Sequence, residues 1–292
     1  MPGDAGDVRG RATVPGASAA EDSSHQTLIT IIGRGNSGTR VMSSTLSQSG
    51  VFMGEPIKED SADLVPAEDM YEACRIIARY IPWQGGLVWD FGPVQTMPIP
   101  AEFTALIESY LKSVLASSAP YAGWKLPETT LCYPWIKRLF PDIRYIFWVR
   151  NPWDCIVNGH LTDDLRDFGI KVPRTRNPYL RRAISWKYQD DLVAATPPPR
   201  HWIKVRFEDF VQHQERELAR LEKYLGLTLA RIPVTTDPVD RHKQLPGLPL
   251  PEFLRPAMHK HNYSVPERDD AGWRKWKRRI ARSGFGPSIW TF

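Results

Sequence analysis

Hydrophobic residues along the chain fall into short runs with two different periods. Residues 27–32, Thr-Leu-Ile-Thr-Ile-Ile, are β-rich and almost continuously apolar, the pattern of a parallel strand covered on both faces. Gly33 to Gly38 predicts a loop, and residues 39–47 a helix that ends before Gly50. Between residues 101 and 117, Phe103, Leu106, Ile107, Tyr110, Leu111, Val114 and Leu115 recur at helical spacing and give one core-facing stripe. Residues 129–140 predict a further helix, stopped before Pro141, and residues 144–149 a second buried strand. Residues 179–195 are helical by the same test, residues 202–207 alternate as a third strand, and residues 210–225 form a helix closed by Gly226.

Strands alternating with helices in this order predict an α/β fold, a parallel sheet flanked by helices on both faces. Ligands of such sheets bind beyond the carboxyl ends of the strands. Gly33 and Arg150 both fall at such ends, so two anion-binding candidates far apart in sequence can face one crevice. Residues 1–26 are rich in Gly, Ala, Ser and Asp and are expected to be a disordered tail. The remainder, residues 27–292, is expected to form one domain, since 292 residues suit one large core better than two.

Composition narrows the functional classes. Three widely spaced cysteines, Cys74, Cys132 and Cys155, write neither a disulfide framework nor a zinc knuckle, and the expectation is a reducing, cytoplasmic location with no bound metal. No apolar run is long enough to span a bilayer, and the first residues carry acids where a signal peptide carries basic residues. A formal net charge of +5 favours an anionic ligand. Nine Lys or Arg against three acids lie between Arg255 and Phe292. Their bland reading is a solvated helix face, and nucleic acid is not the expected partner.

The loop Gly33-Arg-Gly-Asn-Ser-Gly-Thr-Arg40 follows a strand and opens a helix, so its N–H groups and the helix dipole can cradle phosphate oxygens, with Ser37 and Thr39 adding hydroxyl donors. Its glycines have Walker spacing, but Thr39-Arg40 stands where that motif carries Lys followed by Ser or Thr. The hydroxyl that would hold a metal is displaced, which weakens a kinase or NTPase reading. Sulfuryl transfer moves less negative charge than phosphoryl transfer, so donors and cations can suffice without Mg²⁺.

The loop resembles the 5'-phosphosulfate loop of the sulfotransferases that use 3'-phosphoadenosine 5'-phosphosulfate (PAPS), in a bacterial-type GRGNSGTR variant. Ser37-Gly38-Thr39 match it, while Asn36 stands at the usual cation and Arg40 at the second hydroxyl. The resemblance implies that Arg34 or Arg40 supplies the cation beside the Gly35 and Asn36 backbone. A second element is similar to the family's strand-end arginine, followed by Asn-Pro and by a serine eight residues on, which grip the 3'-phosphate. Arg150-Asn151-Pro152 fits it, with Asn158 in the serine position. Val205-Arg-Phe-Glu-Asp209 and Tyr224-Leu-Gly-Leu227 resemble further fold markers, and by position Phe207 can border the adenine.

For chemistry the acceptor needs a base, and the leaving phosphate oxygen needs a cation. Gly123-Trp-Lys-Leu-Pro127 resembles the family segment whose lysine reaches the sulfuryl and leaving-group oxygens, which implies that role for Lys125. Pro127 stands where many relatives carry a basic histidine, so the base is sought elsewhere: Glu55 first, with Glu59, Asp60 or Asp63 as replacements and His160 as the remaining contender. Arg268, in a loose echo of the family's basic C-terminal stretch, is a further 3'-phosphate candidate. Eleven tryptophans exceed what a core of this size needs, and Trp83, Trp89 and Trp135 are candidates to line an acceptor pocket suited to sugars or aromatic groups.

The resemblance thus implies the P-loop-like sulfotransferase fold, PAPS as donor, and a small-molecule or carbohydrate acceptor. Two alternatives stay open: a nucleotide kinase or NTPase with a degenerate loop, and a non-catalytic module that binds nucleotide or nucleic acid.

Overall fold

The computed structural model describes residues 26–244, 248–265 and 267. The expected tail up to residue 25, and the basic segment from residue 268 onward with Arg268, lie outside the described residues. Gln26, expected in the tail, is tied down: its side-chain amide donates to the carbonyls of Ser117 and Ala119 at 2.6 and 3.1 Å.

Four parallel strands form the central sheet: β1 (Thr27–Ile32), β2 (Tyr121–Lys125), β3 (Arg144–Val149) and β4 (Trp202–Arg206), in the order β2-β1-β3-β4. The register runs from Ile31 opposite Lys125 on one side of β1 to Ile32 opposite Phe147 on the other. The chain leaves β1 for the edge strand β2 and returns across β1 to β3, so the strand order reverses beside β1. The carboxyl ends of β1 and β3 flank that switch point, where α/β sheets place their ligands.

Period-two side-chain alternation splits the strands between two cores. Ile29, Ile31, Ile146, Trp148 and Val205 face helix α1 (Thr39–Gln48) and the later helices. Ala122, Trp124, Tyr145, Phe147 and Val149 face the other layer, which includes α2 (Glu68–Ala78), α3 (Ala101–Tyr110), α4 (Tyr133–Leu139) and α5 (Pro178–Ala195). The expected architecture, a parallel sheet with helices on both faces, is therefore what the chain builds.

Local departures have local causes. The stripe at residues 101–117 is broken at Leu111 (φ −90°, ψ 9°), which separates α3 from a single further turn. Residues 129–140 begin as a 3-10 turn, Pro127–Cys132, and become α-helical only at Tyr133, with Pro134 in the first turn where its missing N–H is harmless. The third expected strand stops at Arg206, because Glu208 and Asp209 favour a helix start, and α6 (Phe207–Gln212) begins there. His213 (φ −135°, ψ 48°) then divides α6 from α7 (Gln214–Leu225), which ends on left-handed Gly226 as expected.

Strand β2 was not legible as a strand. It is five residues long and contains Gly123, whose α-carbon lies so close to β1 that an added Cβ would stand 2.2 Å from the Ile29 carbonyl oxygen. Among the described residues, no helix is long and apolar enough to cross a membrane.

Candidate active site

The loop after β1 owes its shape to two left-handed residues, Asn36 (φ 61°) and Gly38 (φ 89°). Gly38 serves two needs at once, since a Cβ there would also stand 2.6 Å from the Phe207 ring. Framework contacts fix the loop from behind. Thr130 Oγ1 accepts from the Gly33 N–H at 3.0 Å, and Trp148 Nε1 donates to the Ser37 carbonyl at 2.9 Å. No side chain caps α1, so the Thr39 and Arg40 N–H groups of its first turn and the dipole behind them remain available to an anion, while the Val41 N–H donates to the Gly38 carbonyl at 3.1 Å.

A cavity of about 470 Å³ opens in front of this loop, and Asn36, Gly38, Thr39, Arg40, Lys125, Arg150, His160 and Phe207 all line it. The volume falls in the range of small-molecule ligand sites. Arg150 follows β3 directly and is 2% exposed. Its guanidinium lies 4.5 Å from the centre of the Phe207 ring, donates to the Asn36 carbonyl at 3.3 Å and to the Pro238 carbonyl, and stands 3.7 Å from Asp154. Its Nε is buried with no hydrogen-bond partner. An orphaned buried guanidinium N–H is costly.

Lys125, the last residue of β2, is likewise 2% exposed. Its ammonium donates to Asp63 Oδ1 at 2.5 Å and to the Ser61 carbonyl at 2.6 Å. Burial lowers its pKa, and the Asp63 carboxylate opposes that shift. Behind the pair lies Glu128, 2% exposed, whose pKa burial pushes up to about 7.

The model of the sulfotransferase family matches residues 29–231, from within β1 through both cations to beyond α7. The chain belongs to the sulfotransferase family. A putative protein-tyrosine sulfotransferase of Caenorhabditis briggsae is 26% identical over 165 residues, 52% of this chain and 54% of that one. The chain thus spans about half the length of the curated relative it matches. The sulfotransferase domain of the curacin biosynthetic pathway aligns with 82% of this chain and 99% of that one, at 15% identity and a TM-score of 0.48.

Within this chain the expected residues do not all converge. Arg34 is buried behind the loop, where its guanidinium pairs with Asp163 and donates to the carbonyls of Gly35 and Cys155 at 2.8 and 3.2 Å. Of the two arginines considered for the loop, Arg40 is the one that reaches the cleft, and its guanidinium donates to the Asp60 carbonyl at 2.5 Å. Glu55 is exposed and stands outside the cavity lining, its backbone N–H bonded to Ser113 Oγ at 2.9 Å. Asp60 and Asp63 line the cavity in its stead.

Asn158 is also exposed and outside the lining, because the helix after Arg150 ends at Cys155 instead of carrying the chain on toward the cleft. His160 consequently sits on extended backbone and not on a helix, with its ring packed over Gly35. Burial and then the Arg34 charge lower its pKa to about 4, so the imidazole is neutral at pH 7. Its Nδ1 accepts from the Thr162 N–H at 3.2 Å, which leaves Nε2.

Two residues, and the role of a third, escaped the sequence reading. Arg241 lines the cavity, and burial followed by the Arg150 charge lowers its pKa, the mark of two cations facing one space. The neighbouring His242 holds it in place. Its backbone N–H donates to Asp154 Oδ1 at 3.0 Å, its Nδ1 lies 2.6 Å from the same oxygen, and its ring stacks on Trp153 at 4.2 Å. Glu208 accepts the Asn151 N–H at 2.9 Å and the Tyr263 hydroxyl at 2.8 Å, and so fixes the turn that aims Arg150. The acid in Val205-Arg-Phe-Glu-Asp209 was visible in the sequence as a fold marker; its bond to the Arg150 turn was not.

Proposed function

We propose that the chain transfers the sulfuryl group of PAPS to a hydroxyl or amine of a small-molecule or carbohydrate acceptor, in line and without a metal ion. The observation that carries this reading is the convergence of an uncapped helix N-terminus, Lys125 and Arg150 on one cleft, with a buried Arg150 N–H lacking an acceptor. When bound, PAPS supplies a sulfuryl group whose bridging oxygen leaves on the 5'-phosphate.

The roles of the chain's own residues follow from where their charges stand. The backbone of residues 35–40, with Thr39 and Arg40, holds the 5'-phosphosulfate end, whereas the expected Ser37 hydroxyl is buried outside the cavity lining and donates to the Arg34 carbonyl. Arg150 and Arg241 hold the 3'-phosphate, whose double charge relieves the repulsion between two guanidiniums. Phe207 borders the adenine. The Lys125 ammonium neutralises charge developing on the bridging oxygen, and desolvation strengthens that interaction. Asp63, and not the exposed Glu55, accepts the acceptor's proton on the carboxylate oxygen that Lys125 leaves free. Neutral His160 orients the acceptor through Nε2.

Incubating the protein with sulfur-labelled PAPS and a panel of sugars, phenols, amines and lipids, in the presence of a chelator, tests the proposal. Label transferred to one acceptor class is the expected result. Hydrolysis of ATP that requires Mg²⁺, with no transfer from PAPS to any acceptor, would point to the kinase reading instead.

A further inference from the structure

Away from the cleft, a short hairpin pairs Trp83–Gly85 with Val88–Trp89 and leaves the Trp83 ring 38% exposed. The indole is held in place by its Nε1, which donates to the Gly86 carbonyl at 3.1 Å. Opposite lies the loop that follows the 3-10 turn Leu165–Phe168, and the Trp89 Nε1 clips that loop to the hairpin through the Lys171 carbonyl at 2.8 Å. Between them is an open cavity of about 480 Å³ lined by Trp83, Arg166, Lys171, Arg174 and the left-handed Gly169.

Arg166, Lys171 and Arg174 are all exposed, and none has an ion-pair partner among the described residues. Elsewhere on this surface the arginines pair readily: Arg75 with Glu72, Arg79 with Glu102, and Arg181 with Asp164. Three unpaired cations around a fixed aromatic face make a groove complementary to negative charge. Along the chain it also lies close to the active site. His160 lines the cleft and Arg166 lines the groove, joined by six residues of tight turns, on the order of 12 Å at the 3-10 rise.

We propose that this groove is an acceptor subsite for an anionic carbohydrate chain. The Trp83 ring stacks on the face of a sugar, and Arg166, Lys171 and Arg174 neutralise its carboxylate or sulfate substituents. An extended acidic peptide fits less well, because main-chain pairing needs a strand edge, and the hairpin strands here are only three and two residues long. The inference rests on the sulfuryl-transfer reading only in making the bound chain an acceptor; binding to the groove itself requires no nucleotide.

Calorimetric titration of the full chain with a heparin-derived oligosaccharide, a neutral oligosaccharide of equal length and polyglutamate tests the proposal. Wild type should bind the heparin fragment in preference to the other two, with affinity falling as salt rises. Trp83→Ala should weaken binding by about fivefold, and Arg166→Ser combined with Lys171→Ser and Arg174→Ser should bring it down to the level of the neutral chain. Thermal stabilisation by 3'-phosphoadenosine 5'-phosphate (PAP), read on the same samples, should be unchanged in both variants. That result shows that they fold and keeps the two readings separable. Heparin binding without any PAP stabilisation would sink the nucleotide reading and leave the groove standing. Equal heparin affinity in wild type and the variants, or tighter binding of polyglutamate, would overturn the groove proposal.

Discussion

The two buried cations of the cleft, Lys125 at the end of β2 and Arg150 just past the end of β3, have the same exposure and opposite states. Lys125 is paired: an acid at 2.5 Å and a carbonyl at 2.6 Å accept two of its three N–H bonds. Arg150 is open: its carboxylate partner stands at 3.7 Å, it leans on carbonyls and an aromatic face, and one N–H has no acceptor. A buried pair that is complete positions a charge, whereas a buried charge that is incomplete awaits a ligand. On the proposed reading, the lysine end belongs to chemistry and the arginine end to binding.

Mutations should separate the ends. Lys125→Ala should lower kcat by roughly 10²–10³-fold, the cost of losing one preorganised charge at a transition state, with little change in PAP affinity. Arg150→Ala should do the reverse, weakening PAP by about a hundredfold, as measured by calorimetry. If both variants lost binding and turnover in the same proportion, the division between the two ends would fail.

Glu128 sharpens the contrast by testing how tightly the lysine end is sealed. Its folded pKa, about 7, lies above the ordinary carboxylate value because burial disfavours the charge. The stability it contributes is thus complete below the unfolded value and is lost as pH rises through about 7, an effect on the order of 3 kcal/mol. Glu128→Gln should raise Tm relative to wild type at alkaline pH and leave it nearly unchanged in acid. A constant Tm difference across that range would mean the site is wetter than its burial implies.

A smaller effect is expected at the arginine end. His242→Gln keeps the backbone bond to Asp154 but loses the stack on Trp153, so Arg241 is loosened and PAP affinity should fall by about threefold to tenfold. Unchanged affinity would remove Arg241 from the phosphate site.

The same contrast explains what could be read in advance. The loop from Gly33 to Arg40 and Arg150 each follow a legible strand, and Lys125 was reached through the resemblance of Gly123-Trp-Lys-Leu-Pro127 to a family segment, so contiguous motifs were enough to find them. Asp63 comes to Lys125 from 62 residues away and His242 to Asp154 from 88, and no local spacing encodes either approach. Arg34 and Arg40 stand equally near the glycines, yet only burial against Asp163 shows that one belongs to the framework. Asn158 was displaced because four residues of helix after Asn151 end at Cys155, a boundary that the Pro-Trp-Asp-Cys sequence does not announce. Strand β2 was hidden by the Gly123 that its packing requires.

The central claim is that the cleft between β1 and β3 is a PAPS site whose 3'-phosphate is held by Arg150. Titration of the metal-free protein with PAP and, separately, with adenosine 5'-phosphosulfate, which lacks the 3'-phosphate, tests it most directly. The account predicts that PAP binds far more tightly, and that Arg150→Ala abolishes the preference. Equal affinity for the two nucleotides in wild type, or a preference that survives in Arg150→Ala, would contradict it.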